Sequence, residues 1–338
     1  MKNILVVNVN WLGDVIFSTP VFRALKEKYP QAKISCMAVP RVCEVLRYVP
    51  FVDEVIEFDE DGIKWRVWQW INFIGILRAK KFDGVFLLHG SKTRAVLAKF
   101  AGIPVRVGYE RKGRGRYLTH AFEPSPSNTH RSDVYLNVIR KFGVEVKDGR
   151  NMLTVPLEGK MQVLGLLKNA GIDSEKPFVV VHVCGNWDLK LWTEHNFTLL
   201  IERLMTKYGA QVVIPGGQND LPRINRIIAP LKIKPAVLAD KTNLKELIVL
   251  LSMAETVISS DSGPLHVANS VGTKVIGIFG PTRPEITGPR GIGKYICLQQ
   301  NVGCNISPCY FLDCKDNVCV KSISVEDVCE AFEQIRNK

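Results

Sequence analysis

The chain has 338 residues, of which 46% are hydrophobic, and carries a formal net charge of +12. This length and apolar content suit about two domains, and no apolar run reaches the ~20 residues that a membrane-spanning helix needs. The opening apolar run, residues 4–7, is too short for a secretory signal. We therefore expect a cytoplasmic protein whose nine cysteines are mostly reduced thiols.

Apolar runs alternate with helical stretches through the first half of the chain, which predicts a parallel sheet covered by helices. The predicted strands are residues 4–9, 33–38, 54–58, 84–88 and 105–108. The first strand leads into the loop Trp11-Leu12-Gly13-Asp14, where Gly13 permits another molecule to approach closely. Asp14 is a candidate general base in this loop. It could instead cap a helix that starts near Val15.

Residues 64–81 combine tryptophans with basic residues. Trp65, Trp68 and Trp70 lead into an apolar run, and Lys and Arg lie at both ends of the segment. As a helix it could rest in a membrane interface, where indole rings and basic side chains are favoured. A buried core helix is the preferred interpretation, because apolar residues surround nearly the whole helix.

The positive charge is concentrated in the first half of the chain. Residues 1–155 hold 25 Lys and Arg against 15 Asp and Glu, whereas the remainder holds 20 against 18. This imbalance predicts an anionic partner for the first domain: nucleic acid, an anionic membrane surface or an acidic glycolipid. Nucleic acid is disfavoured, because no recognisable nucleic-acid-binding module accompanies the charge. The densest basic cluster is Arg111, Lys112, Arg114 and Arg116, which binds an anionic partner or is simply a solvated, glycine-rich loop.

A second alternating series predicts a second parallel sheet, with strands at residues 178–183, 211–215, 236–238, 256–259 and 274–279. Pro156, Gly159 and Gly171 mark the junction between the two series. We therefore place domains at residues 1–155 and 156–323. A terminal helix is expected in residues 324–338, with Ser324 as its cap.

Open α/β sheets bind ligands at the carboxyl ends of their strands, and several loops of the second half lie there. The loop after the strand at 178–183 carries Gly185, Asn186 and Lys190. Its lysine has a compact charge that suits phosphate oxygens, although a solvated loop lysine is the alternative. Gly216 and Gly217 follow the next strand and line a ligand cleft or form a simple turn.

The third such loop is Asp261-Ser262-Gly263-Pro264-Leu265-His266, which follows an apolar run and precedes another. Strand, helix and strand imply a parallel crossover, in which Ser262 caps the helix and Gly272 takes a left-handed conformation at its end. Unpaired N–H groups and the helix dipole make such a helix start suitable for a phosphate or diphosphate. Asp261, Ser262, Gly263 and His266 would surround this anion, with Thr282 in the following loop. Asp261 repels phosphate and so would rather orient Lys190, the acceptor or the sugar, and His266 could instead be a packed, satisfied histidine.

A metal site is the less favoured interpretation of two further features. Cys304, Cys309, Cys314 and Cys319 recur every five residues and could hold zinc. They lack paired C-x-x-C knuckles, so packed free thiols are preferred. The acidic run Asp59-Glu60-Asp61 is read as a solvated turn rather than as a metal-binding carboxylate pair.

The motifs D-S-G-P-L-H at residues 261–266 and F-G-P-T-R-P at 279–284 resemble those of glycosyltransferase family 9, the ADP-heptose:lipopolysaccharide heptosyltransferases. The opening loop around Asp14, the K-x-W element at Lys190 and the glycine pair at Gly216 match the same family in the same order. The resemblance implies a GT-B fold, in which two Rossmann-like parallel-sheet domains face a central cleft. It also implies that the final helix packs back on the first domain.

By this resemblance, Asp14 is the base of an inverting transfer from ADP-L-glycero-D-manno-heptose, and Lys190 holds the departing diphosphate. The second domain would bind the nucleotide-sugar donor. The acceptor would be the inner core of lipopolysaccharide, an anionic glycolipid that meets the basic first domain at the cytoplasmic face of the inner membrane. No metal or other cofactor is expected, since the lysine and the helix start supply positive charge.

Three alternatives remain. The family usually carries small hydroxyl residues near Gly185 and Asn186, and their absence is the best support for an inactive nucleotide- or glycan-binding protein of the same fold. Among transferases, the alternative is a related enzyme that uses another nucleotide sugar. A dehydrogenase is disfavoured, because no G-x-G-x-x-G motif opens a strand–helix unit.

Overall fold

The computed structural model describes residues 1–60, 67–304, 309 and 314–337. Contacts divide the chain into two compact units, Met1–Thr154 and Val155–Lys338. This division lies one residue from the predicted boundary. Within the described ranges, no helix is both long and apolar enough to cross a membrane.

The first unit is a six-stranded parallel sheet covered by helices. Its strands are β1 Asn3–Val7, β2 Lys33–Ala38, β3 Glu54–Glu57, β4 Gly84–Leu87, β5 Val105–Tyr109 and β6 His120–Phe122. Its helices are α1 Leu12–Lys28, α2 Pro40–Leu46, α3 Val67–Ala79, α4 Lys92–Phe100 and α5 Arg131–Arg140. The strand order is β3-β2-β1-β4-β5-β6, so the direction in which successive strands are added to the sheet reverses between β1 and β4. The loops after these two central strands therefore lie at the position where such sheets bind ligands.

The second unit repeats this plan. Its strands are β7 Phe178–His182, β8 Gln211–Ile214, β9 Ala236–Val237, β10 Thr256–Ser260, β11 Lys274–Ile278 and β12 Tyr295–Leu298. Its helices are α6 Lys160–Asn169, α7 Glu194–Thr206, α8 Leu221–Ile228, α9 Leu244–Met253, α10 Gly263–Ser270, α11 Pro284–Thr287, α12 Val318–Lys321 and α13 Val325–Arg336. The order β12-β11-β10-β7-β8-β9 puts the reversal between β7 and β10. All strand pairs of both sheets are parallel.

All ten predicted strands are present, and the sequence reasoning missed only the edge strands β6 and β12. The central strands are long apolar runs because a parallel sheet covered on both faces buries every side chain. In contrast, β6 has only three residues and is mostly exposed, and β12 is partly buried. These two edge strands therefore lack the apolar signal on which the prediction depended.

The terminal helix α13 is an integral part of the second unit. As predicted, the Ser324 side chain accepts a hydrogen bond from the Asp327 N–H (3.0 Å), and the Asp327 carboxylate accepts one from the Ser324 N–H (2.8 Å). Val328, Phe332 and Ile335 are fully buried in that unit's core. This packing places α13 in the core of the second unit, and the expectation that the helix also returns to the first domain stays a prediction.

Helix α3 is only half buried, which corrects the preferred interpretation of a core helix. Phe73 and Leu77 pack into the first unit's core. Trp68 on the opposite side is 77% exposed, Ile71 52% and Ile76 49%. Lys64, Trp65 and Arg66 lie outside the described residues.

The basic cluster at residues 111–116 is not one exposed loop. Arg111, Lys112 and Arg116 are exposed, but Arg114 is fully buried. The Arg114 guanidinium donates to the carbonyl oxygen of Tyr109 (2.6 Å) and to that of His89. In this conformation Arg114 holds the loop in place, and its buried side chain cannot contact a glycolipid acceptor.

Candidate functional site

The predicted ligand-binding residues of the second unit gather at one edge of its sheet. Lys190, Gly216, Asp261 and Thr282 follow β7, β8, β10 and β11, and these four strands are adjacent in the order β11-β10-β7-β8. Lys190 and Asp261 follow β7 and β10, the two neighbouring strands between which the strand order reverses. The fold thus brings residues from widely separated segments to a single carboxyl edge.

Asp261 is the centre of this cluster. Its Oδ2 accepts hydrogen bonds from Lys190 Nζ (2.7 Å), Thr282 Oγ1 (2.7 Å) and Thr287 Oγ1 (3.2 Å), and its Oδ1 lies 3.3 Å from His266 Nε2. Only 4% of the side chain is exposed. Burial by itself would raise the pKa of this carboxyl, but the His266 hydrogen bond and the Lys190 charge outweigh burial and hold the pKa below its usual value. Asp261 is therefore an ionised anchor rather than a group that titrates near neutrality.

The contact between Asp261 and Lys190 determines which of the two side chains can bind a ligand. Both Asp261 oxygens are engaged by donors, so the carboxylate positions its neighbours and does not face a phosphate. The Lys190 side chain is 23% exposed, and its ammonium has three N–H donors of which Asp261 takes one. A buried carboxylate thus fixes a partly exposed cation at the mouth of the site, where it can bind an anionic ligand.

Helix α10 begins beside this ion pair, and Ser262 is its N-cap residue. The predicted capping hydrogen bond is absent, because the Ser262 hydroxyl lies 2.8 Å from Ser259 Oγ and 3.3 Å from His182 Nδ1. The helix start therefore lacks a side-chain oxygen from its own cap residue, a condition that suits an external anion. At the other end of the helix, Gly272 has the predicted left-handed conformation, with φ of +99°.

His182 gives this site a pH-dependent stability. Burial lowers its pKa from the usual 6.5 to about 4, so the folded protein holds a neutral imidazole while the unfolded chain binds a proton. Between pH 6.5 and 4 the unfolded state binds more protons, and stability falls as the pH falls. We expect His182→Asn to flatten the dependence of the free energy of unfolding on pH in this window, by up to about 3 kcal/mol over the whole range. Urea titrations across the window measure it, and an unchanged slope in the variant would contradict the assignment.

The other predicted donor-side residues differ in exposure. Gly185 and Asn186 are exposed in the loop after β7. A Cβ on Gly216 would lie 3.1 Å from the Asp220 side chain, and the Gly217 N–H donates to Asp220 Oδ2 (2.7 Å). The glycine pair thus forms a tight turn at the correct edge of the sheet, and a ligand-lining role remains a prediction.

The four cysteines near the chain end line one cavity of about 440 Å³, together with residues of the loop around Pro281. Burial, and secondarily the neighbouring Cys314 and Cys304, raise the pKa of the Cys319 thiol. In the described parts of the chain, no group of three His, Cys, Asp or Glu side chains has a geometry that could hold a metal ion. Cys304 and Cys314 are exposed and Cys309 and Cys319 are only partly buried, which differs from the expectation of packed thiols, and the zinc alternative stays a prediction.

In the first unit, Asp14 lies near the start of α1, after the central strand β1. The helix begins at Leu12, earlier than expected, so Asp14 is in its first turn and does not cap it. The Tyr135 hydroxyl donates to Asp14 Oδ1 (2.8 Å) from helix α5. Burial raises the pKa of Tyr135 well above its usual value, and the negative charge of Asp14 adds to this effect. The tyrosine therefore stays protonated as a donor that fixes one carboxylate oxygen.

Two arginines hold the loop that precedes Asp14. The buried Arg94 donates to the Asn8 carbonyl oxygen (2.7 Å), to Asn10 Oδ1 (2.8 Å) and to Glu60 Oε2 (3.0 Å). Arg41 donates to the Asn10 carbonyl oxygen (2.8 Å). Glu60 is thus an ion-pair partner rather than part of a solvated acidic turn, and Asp61 lies outside the described residues.

The sequence reasoning missed Tyr135, Arg94, His182 and Thr287. Each contacts a residue far away in the chain, such as Asp14 for Tyr135, and none belongs to a local motif. A weak signal existed for two of them. Arg94 lies in the helix that follows the central strand β4, and His182 is the last residue of the central strand β7. The remaining two carry no such signal.

Two doubly wound parallel-sheet units, each with a polar cluster at the point where its strand order reverses, are the architecture of the GT-B fold. The chain belongs to glycosyltransferase family 9 (heptosyltransferase), whose family model matches residues 70–310. The predicted fold class and enzyme class are confirmed, and the dehydrogenase alternative is wrong.

Individual relatives agree with this assignment. The chain is 27% identical over 302 residues to lipopolysaccharide heptosyltransferase 2 of Salmonella typhimurium, covering 85% of each chain. It is 26% identical to lipopolysaccharide heptosyltransferase 3 of Escherichia coli, covering 80% of this chain and 81% of the relative. Among solved structures it resembles a family 9 glycosyltransferase from Veillonella parvula (TM-score 0.86, 24% identity, 99% and 97% coverage). It also resembles E. coli ADP-heptose lipopolysaccharide heptosyltransferase II (TM-score 0.80, 23% identity, 100% and 99% coverage).

Proposed function

We propose that this enzyme transfers heptose from ADP-L-glycero-D-manno-heptose to a hydroxyl of the lipopolysaccharide inner core, either Kdo or the first heptose. The observation that carries the proposal is the Lys190 ammonium fixed by buried Asp261 beside the start of α10. A cation and a helix start are what a departing diphosphate requires. The names of the relatives supply the sugar and the acceptor class.

In the proposed reaction the acceptor oxygen attacks the anomeric carbon as the bond from that carbon to the ADP oxygen breaks. Asp14 accepts the hydroxyl proton, and Lys190 with the N–H groups at the start of α10 receives the negative charge that develops on ADP. A single displacement inverts the anomeric configuration. These protein groups supply the charge that a divalent ion would otherwise provide, so the proposed reaction needs no metal.

The other predicted residues would bind the two substrates. Gly185, Asn186, Gly216, Gly217, Ser262, Gly263, His266 and Thr282 would form the donor side. On the acceptor side, exposed Arg111, Lys112 and Arg116 would meet the anionic glycolipid. The acceptor is lipid-linked, so the enzyme would work on the cytoplasmic face of the inner membrane as a peripheral protein.

The test is product formation by the purified chain from ADP-heptose and a delipidated inner-core acceptor, with ADP release and product mass as readouts. We expect turnover that persists in EDTA and a product with inverted anomeric configuration. Turnover only with a different nucleotide sugar would assign the related transferase. Calorimetric binding of ADP-heptose without ADP release in the presence of acceptor would assign the inactive binding protein.

A further inference from the structure

Helix α3 presents an apolar outer surface to solvent. Val67 is 72% exposed and Trp68 77%, and Ile71 and Ile76 lie on the same outward half of the helix. Phe100, at the end of α4, is 56% exposed and adjoins this surface, because Arg78 Nε donates to its carbonyl oxygen (3.0 Å). We call these five side chains the α3 face.

The α3 face is not explained by the packing of the first unit. The opposite side of the helix already supplies Phe73 and Leu77 to the core, which is all that a helix covering a sheet needs. Single exposed apolar residues are ordinary, but several on one helix face form a patch, and such patches mark interaction sites.

The surroundings of the α3 face are strongly basic. Between Val67 and Tyr117 the chain carries eleven Lys and Arg residues, of which Arg94 and Arg114 are buried, against two acidic ones, Asp83 and Glu110. The Asp83 carboxylate is engaged by the backbone N–H groups of Lys2 and Asn3 (2.9 Å for Asn3). Helices α3 and α4 and the turn at Tyr117 pack on the same core, so their outer sides form one layer. Lys99 and Arg116 both lie near the Tyr117 ring in that layer.

We propose that the α3 face docks on an anionic lipid surface. Indole and aliphatic side chains would enter the headgroup boundary, and the surrounding Lys and Arg would contact lipid phosphates. A helix of 13 residues is roughly 20 Å long, too short for a ~30 Å hydrocarbon core, so it would lie in the plane of the interface. A second copy of the chain is the less suitable occupant, because two such faces would bring like charges together.

This inference deepens the proposed function and rests on it, because docking would serve an enzyme whose lipid-linked acceptor is presented at a bilayer surface. The physical claim is separate, because vesicle binding needs no sugar donor. The two can therefore fail independently.

The experiment is co-sedimentation of the full chain with vesicles of phosphatidylcholine, alone or mixed with phosphatidylglycerol. We expect binding to the mixed vesicles that weakens with salt. Trp68→Gln/Ile71→Gln should bind about tenfold more weakly or worse, and Lys99→Gln about fivefold more weakly. The matched control is Leu157→Gln/Met161→Gln in the second unit, where the two residues are 78% and 76% exposed; it should bind like the parent.

Thermal unfolding of each variant checks the fold, which surface substitutions should leave intact. Equal vesicle binding by the α3 variant and the parent would overturn the proposal. So would dimerisation of the parent that this variant abolishes while vesicle binding persists. Retention of transfer to a delipidated acceptor by the α3 variant, with vesicle binding lost, would support it. A parent chain that binds vesicles through this face but transfers no sugar would refute the proposed function and leave the docking surface supported.

Discussion

Lys190→Met should lower kcat for sugar transfer by about 10²- to 10³-fold, the usual cost of removing one group that stabilises transition-state charge. The lysine is the partly exposed cation that the buried Asp261 carboxylate holds at the carboxyl edge of the second sheet. Its charge would be most useful as the diphosphate departs, so the loss should appear in kcat more than in the affinity for ADP. Steady-state kinetics of ADP release, with calorimetry of ADP binding, measure both quantities.

A double substitution separates this catalytic effect from a folding effect. Lys190→Met alone leaves the buried Asp261 carboxylate without its cation, which should cost up to about 3 kcal/mol of stability, because Thr282, Thr287 and His266 still contact the carboxylate. Lys190→Met/Asp261→Asn removes the buried charge as well. It should recover much of the stability and none of the activity. Recovery of transfer in the double variant would show that Lys190 serves only to neutralise Asp261.

The polar cluster around Asp261 was largely predictable because its parts belong to local motifs. The sequence of residues 256–270 shows a buried strand, a short turn and a helix around Asp261. The order of the strands then places the carboxyl ends of the neighbouring strands at one edge of the sheet. The same pattern does not specify hydrogen-bond partners. Ser262 was expected to cap α10, yet its hydroxyl turns to His182, which lies 80 residues earlier in the chain.

Burial of charged and aromatic residues was the least predictable property. Arg114 stands among glycines and other basic residues, a composition typical of an exposed loop, but its guanidinium enters the unit to bind two carbonyl oxygens. Helix α3 shows the opposite error. Apolar residues around a whole helix are typical of a core helix, and composition does not distinguish that case from a helix with one buried and one exposed apolar side.

Asp14→Asn should reduce kcat for sugar transfer by about 10²- to 10⁴-fold, the range that general acid–base catalysis contributes. The amide keeps the size of the carboxylate, and its oxygen can still accept from the Tyr135 hydroxyl, so the loop and the fold should persist. Donor affinity should stay unchanged, because the substitution removes proton acceptance alone.

Tyr135→Phe is the matched control for this prediction. It removes the 2.8 Å hydrogen bond to Asp14 Oδ1 but leaves the carboxylate able to accept a proton. We expect a smaller loss of about tenfold, typical of a base that is less well oriented. If Asp14→Asn retains full activity, Asp14 is not the base. If both variants lose activity equally, Asp14 and Tyr135 serve only to join helices α1 and α5.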